Sequence, residues 1–139
     1  MAEGIFKNKV EENQLDAEVD SAGTSDYHIG EAPDTRAIYK SREYDIDISK
    51  LKGRQLVKED FDYYDKIFVM DTSNYQNALE LTNDPKHLEK LDLFLNLSYP
   101  GENRSVPDPY FGGEEGFEQV YQLLDNASEV LIQELKDEA

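Results

Sequence analysis

The segment DKIFVMD constrains the fold most strongly. Ile67 to Met70 form a compact apolar run bounded by charges, as in a strand covered on both faces, and such strands sit in the middle of parallel sheets. A strand of this kind requires helical layers above and below it.

The flanking segments supply candidates for those layers. MAEGIFKNKV repeats Ala2, Ile5, Phe6 and Val10 at helical spacing, the stripe runs on to Leu15, and the helix opens with no capping residue. AEVDSAGT alternates Ala17, Val19 and Ser21 and stops at Gly23, which reads as a short strand ending in a loop. After the loop SDYHIGEAP, Pro33 and Asp34 suit a helix start, with Ala37, Ile38 and Tyr44 on one side. DIDISKLKGRQLVKEDF shows no single period. SNYQNALEL reads as a helix capped by Ser73 or Asn74, and DPKHLEKLDLFLNL as another with Pro85 at its first position. SVPDPYFGG fits a brief strand breaking into a rigid loop. From Glu114 to about Lys136, Phe117, Val120, Tyr121, Leu124, Leu131 and Leu135 hold one stripe, with Glu114 and Glu115 near the positive end of the helix dipole.

Strands alternating with helices predict an α/β fold: a three-layer sandwich with a parallel sheet and right-handed crossovers. At 139 residues a single domain over 1–139 is expected. In such folds ligands bind beyond the C-terminal ends of the strands, here the segments after Ser21, Met70 and Val106.

Charge and composition narrow the chemistry. Fourteen basic residues face 31 acidic ones, a net charge of −17, which repels nucleic-acid backbones and anionic membranes. The carboxylates read as a solvated surface, and none of them forms a calcium-loop pattern. No apolar run is long enough to cross a membrane, and Glu3 and Lys7 stand where a signal peptide would be apolar, so a cytoplasmic protein is expected. There is no cysteine, hence no disulfide, thiolate metal site or cysteine nucleophile in these residues. His28 and His87 are far apart in sequence and read as isolated surface residues. No metal and no cofactor are expected.

The segments that follow the predicted strands carry a resemblance. DSAGT at 20–24, GEAPDTRA at 30–37, FVMDTSN at 68–74 and VPDPYFGG at 106–113 occur in the order and context of the low-molecular-weight protein tyrosine phosphatases. EGFEQVYQLL follows the last of them, so the resemblance covers essentially the whole chain. It implies a sheet of order 2-1-3-4 whose central first strand, together with the Cys-x5-Arg-Ser-Pro loop after it, lies upstream of Met1. The Ser-Pro of that loop would be the cap that the first helix lacks. A thiolate at a helix N-terminus is stabilised by the dipole and by backbone N–H groups, and the same groups with a bidentate Arg cradle the phosphoryl oxygens.

The resemblance assigns Asp108 as general acid and base, which requires a carboxyl that holds its proton near working pH. Taken alone, the D-P dipeptide reads as a turn. Tyr110 and Phe111 would wall a phosphotyrosine ring, with Tyr27 a rim contact from the opposite loop; read alone, Tyr27 is a half-exposed loop aromatic. Many relatives have a second Tyr where Phe111 stands, so that hydroxyl is absent here. Asp71 has two open readings, orienting neighbouring loop groups or capping the helix that follows. Relatives often have a histidine shortly before the Arg-Gln pair, whereas SKLKG precedes Arg54 and Gln55 here. The thioredoxin-coupled arsenate reductases rely on further cysteines, which this chain lacks.

Three functional expectations follow. The first is an N-terminally truncated phosphatase, whose complete form hydrolyses phosphotyrosine on proteins or small aryl phosphates through a cysteinyl-phosphate; the chain as it stands is expected to be inactive. The second is a non-catalytic interaction module. The third is an unstable fragment that needs a partner strand or self-associates through unpaired strand edges, because losing a central strand exposes two of them.

Overall fold

Helices carry most of the ordered backbone. The computed structural model describes residues 1–23, 30, 33–107 and 113–138. In chain order these form α1 (Ala2–Glu12), α2 (Thr35–Glu43), the short α3 (Asp60–Tyr63), β1 (Ile67–Val69), α4 (Thr72–Leu79), the short α5 (Pro85–Leu88), β2 (Leu91–Leu93), a 3-10 turn (Phe94–Leu97) and α6 (Gly113–Glu138). β1 and β2 pair in parallel, Ile67 opposite Leu91 and Val69 opposite Leu93. Parallel neighbours need a crossover, and α4 and α5 lie in this one.

Side chains of β1 alternate between two hydrophobic clusters. Ile67 and Val69 join Phe61, Ala78, Leu91 and Leu93 on one face. Phe68 points to the other, where Ile5, Ile46, Ile48, Phe94, Leu95 and the apolar stripe of α6 form the larger cluster. Its ring meets Phe94 edge-on, with centroids 5.6 Å apart. The sheet therefore has helical layers on both faces, as the charge-bounded apolar run predicts. Among the described residues, however, the sheet has only the order β1-β2, so β1 is not mid-sheet there.

α1 and α6 are held together by packing and by charge. Gly4 lets α1 approach the 46–48 segment: a Cβ built there would fall inside van der Waals contact with Ile48 Cγ2 and 3.2 Å from Ile46 Cγ2. Lys9, itself buried, reaches Asp125 at 2.9 Å and Glu129 at 2.5 Å on α6. Burial lowers its pKa, but the bonds to the two carboxylates outweigh that and hold it above the ordinary lysine value. α6 is a single helix that closes the larger cluster, matching its predicted stripe.

Three expected elements differ. Residues 105–107, expected as a brief strand, form none: Val106 N–H bonds to Met70 O, and Pro107 has no N–H with which to continue a ladder. The segment around Ala17–Ser21 forms no strand; instead Gly23 alone makes a parallel bridge to Gln55. Its N–H donates to Arg54 O at 2.8 Å and its carbonyl accepts from Leu56 N–H at 2.7 Å. The residues before it are held by side-chain contacts at Asp20 and Ser21. The long helix expected from Pro85 stops after Leu88, because Leu91-Asp92-Leu93 alternates buried, exposed, buried and pairs with β1. That pairing buries both leucines, and period two prevails over the helical spacing of Leu88, Leu91 and Leu95.

Candidate functional site at the C-terminal ends of the strands

The first lip of the site is built where β1 ends. Asp71 leaves the strand in an extended conformation and caps α4, its Oδ1 accepting from Asn74 N–H at 2.7 Å. The structure thus gives Asp71 its capping role, and Ser73 and Asn74 lie inside the helix rather than at its cap. Thr72 N–H, another donor of that first turn, is satisfied by Ser105 Oγ at 3.1 Å. Next to it Val106 N–H donates to Met70 O at 2.7 Å. Two consecutive residues therefore moor the segment leading to Asp108 against the end of β1.

The second lip is the segment ending at Gly23. Ser21 Oγ donates to Glu3 Oε1 at 2.5 Å, and Glu3 is buried in the first turn of α1, where a carboxylate suits the helix dipole. Lys7 adds an ion pair to Glu3 at 2.7 Å. Met1 and Ala2 at the start of α1, Met70 at the end of β1, and Val106 all pack against the same large cluster. The start of α1 and the end of β1 thus rest on one core.

A charged cluster braces this second lip. Arg54 donates from Nε to Asp20 at 2.9 Å and, through both terminal nitrogens, to the two oxygens of Asp60 at 3.1 Å each. The bonds to Asp60 and then Asp20 raise the guanidinium pKa well above its ordinary value, burial opposing them. Tyr64 donates to Asp20 at 3.4 Å and Tyr63 to Glu18 at 2.5 Å. The Tyr64 phenol is pushed up by burial and then by Asp20, and the Tyr63 phenol chiefly by its bond to Glu18.

Of the sequence-predicted site residues, only Asp71 is among the described ones. Tyr27, Asp108, Tyr110 and Phe111 lie outside the described residues. Their flanks are described: Gly23 and Gly30 on one side, the latter donating to Gly53 O at 2.7 Å, and Val106 and Gly113 on the other. Gly113 starts α6 with φ of +57°, a conformation that favours glycine.

Sequence reading misplaced His87. It is 6% exposed rather than on the surface, with Nδ1 2.7 Å from Thr82 Oγ1 and Nε2 2.6 Å from Asp62 Oδ1. Its ring also lies against Phe61. His28 lies outside the described residues. The Arg54 cluster was missed as well; opposite charges in VDSAG and in RQLVKED are the only sequence signal for it. A cleft of about 630 Å³ lies at the other ends of the strands and is lined by Asp65, Lys66, Phe68, Lys90, Asp92 and Glu134. It mixes both signs of charge and is remote from the strand C-termini, where α/β folds bind ligands. Among the described residues no three His, Asp or Glu side chains group as a metal site, and no helix is long and apolar enough to cross a membrane.

Residues 1–139 match the family described as low molecular weight phosphotyrosine protein phosphatase. The chain is 37% identical over 141 aligned positions to a protein of Synechocystis named as a low molecular weight protein-tyrosine-phosphatase, covering 99% of this chain and 88% of that one. A protein tyrosine phosphatase from Entamoeba histolytica, crystallised with Hepes in its active site, superposes with a TM-score of 0.88 at 32% identity, over 98% of this chain and 87% of that one. Wzb of Vibrio vulnificus, in complex with benzylphosphonate, superposes with a TM-score of 0.82 at 25% identity, over 96% and 87% of the two chains.

Proposed function

Because the chain belongs to the low molecular weight phosphotyrosine protein phosphatase family, we propose that these 139 residues carry the acid and aryl-binding half of a phosphotyrosine monoester hydrolase. The observation that carries this reading is the family match over all of residues 1–139, and VPDPYFGG supports it by its order among the motifs of the resemblance. In the enzymes this chain resembles, the nucleophilic half is a Cys-x5-Arg-Ser-Pro loop that leads into the helix corresponding to α1. A polypeptide of these 139 residues has no thiol and does not turn over substrate by this route.

The reaction has two steps. The cysteine thiolate attacks phosphorus, the P–O bond to the aryl group breaks, and the departing oxygen takes the Asp108 proton. Water then attacks the cysteinyl-phosphate, giving its proton to Asp108 as the P–S bond breaks, which returns thiolate and releases inorganic phosphate. The thiolate, the loop N–H groups and the arginine stabilise the phosphoryl charge. Tyr110 and Phe111 hold the aryl ring from two sides, with Tyr27 at the rim. Asp71 supports this site by fixing the start of α4. Substrates are phosphotyrosine side chains or small aryl phosphates in the cytoplasm, and no cofactor takes part.

The test compares the 139-residue chain with a lengthened chain that carries, before Met1, an apolar strand and the Cys-x5-Arg-Ser-Pro loop of a relative. Hydrolysis of a phosphotyrosine peptide is expected only from the lengthened chain, and is expected to be lost when its cysteine is changed to serine. Turnover by the 139-residue chain, or none by a folded lengthened chain, contradicts the reading.

A further inference from the structure

We infer that Arg54 is a positioning residue for the first turn of α1, acting through Asp20 and Ser21. The inference rests on the functional reading only in taking the start of α1 as the phosphate end of the site.

The anchor is α3. Its Phe61 is fully buried, and the Asp60 carboxylate is held by Val57 N–H at 2.9 Å as well as by both terminal nitrogens of Arg54. Those contacts fix the plane of the guanidinium, and its remaining Nε–H then points at Asp20 Oδ2 at 2.9 Å. The other oxygen of Asp20 accepts from Ser21 N–H at 2.8 Å. One carboxylate therefore couples the guanidinium to the backbone orientation of Ser21. The Ser21 hydroxyl completes the path by donating to Glu3 in the first turn of α1. Three residues after Asp20, Gly23 is bonded to the Arg54 carbonyl and to Leu56 N–H. The segment is thus held at both ends, and both holds involve Arg54. A lysine has a single ammonium that cannot bind two carboxylates in this forked geometry.

Arg54→Met leaves Asp60 buried without its cation and is liable to unfold the chain. Asp20→Ala and Arg54→Lys are the informative variants, since the Asp20 side chain is 40% exposed. Hydrogen exchange is followed at the Ile5 amide, which bonds to Met1 O, and at the Gly23 amide, in the 139-residue chain itself. Both variants are expected to speed exchange at these two amides by about tenfold, with no change along α6 from Val120 to Leu131, and Asp20→Asn is expected to recover most of the protection. Unchanged exchange at Ile5 overturns the inference. In the lengthened chain Asp20→Ala is expected to lower kcat about tenfold, with KM for the aryl phosphate nearly unchanged. Faster exchange without a loss in kcat also overturns it. An unsubstituted lengthened chain that is inactive condemns the functional reading instead, and the exchange result at Ile5 still decides the role of Arg54.

Discussion

The amide of Val106 donates to the carbonyl of Met70 at 2.7 Å, joining the segment before Asp108 to the residue that follows β1. Ser105 repeats the connection one residue earlier through Thr72 N–H. A neutral hydrogen bond of this kind contributes about 0.5–1.5 kcal/mol, and its loss leaves a helix N–H without a protein partner. Ser105→Ala is therefore expected to lower stability by about 1 kcal/mol in urea titrations, and in the lengthened chain to reduce kcat.

Asp71 offers a sharper distinction. If its work is to cap α4, an amide oxygen serves as well as a carboxylate, so Asp71→Asn is expected to stay within about 0.5 kcal/mol of the parent while Asp71→Ala loses about 1 kcal/mol. A large loss in Asp71→Asn would show that the charge itself is needed.

The close approach at Gly4 sets a third expectation. Alanine gains about 1 kcal/mol in helix propensity over glycine, but its methyl would press on Ile48 and Ile46, and overpacking a core costs about 1–3 kcal/mol. Gly4→Ala is expected to be destabilising on balance, read as a lower midpoint in urea titrations; an unchanged or higher midpoint would contradict it.

How much of this was legible in the sequence depends on the range of the interactions. Asp34 caps α2 through Arg36 N–H, and the apolar stripe of α6 is buried as its spacing predicts; both are encoded within a few residues. The apolar run of β1 gave a strand with helices on both faces for the same reason. β2 was hidden because three residues leave too little pattern, and only pairing with Ile67–Val69 decides their conformation. His87 looked solitary because one partner, Asp62, precedes it by 25 residues. Asp71 has two readings in the sequence, and the structure shows the bond to Asn74 N–H that belongs to the capping one. The aromatic and acid residues drawn from the family resemblance rest on motif order, since Tyr27, Asp108, Tyr110 and Phe111 lie outside the described residues.

His87 itself gives a contrast in magnitudes. Removing it leaves the buried Thr82 hydroxyl without its imidazole partner, so His87→Ala is expected to cost about 2 kcal/mol or more. Asp62, whose side chain is 74% exposed, is worth less than about 1 kcal/mol. Equal losses for His87→Ala and Asp62→Ala would contradict this ordering.

Stability is expected to fall at alkaline pH. Burial, and then Asp125, raise the Tyr121 phenol from 10 to about 12, so the fold favours its neutral form. That contribution is fully present below pH 10 and is lost as pH rises toward 12. Lys9 and Lys40 are also raised and lose their contribution as pH climbs above the ordinary lysine value. Tyr121→Phe is expected to make the decline shallower; an identical pH profile would remove Tyr121 from it.

The most direct test of the central claim is the intact mass of the protein quenched during turnover of an aryl phosphate with an acidic leaving group. Such a leaving group departs without a proton, so changing Asp108 to Ala slows mainly the hydrolysis of the intermediate. The account predicts that the lengthened Asp108→Ala chain accumulates one phosphoryl group on its cysteine and that the 139-residue chain acquires none. Phosphorylation of the 139-residue chain, or a lengthened chain that turns over without any cysteinyl-phosphate, would contradict it.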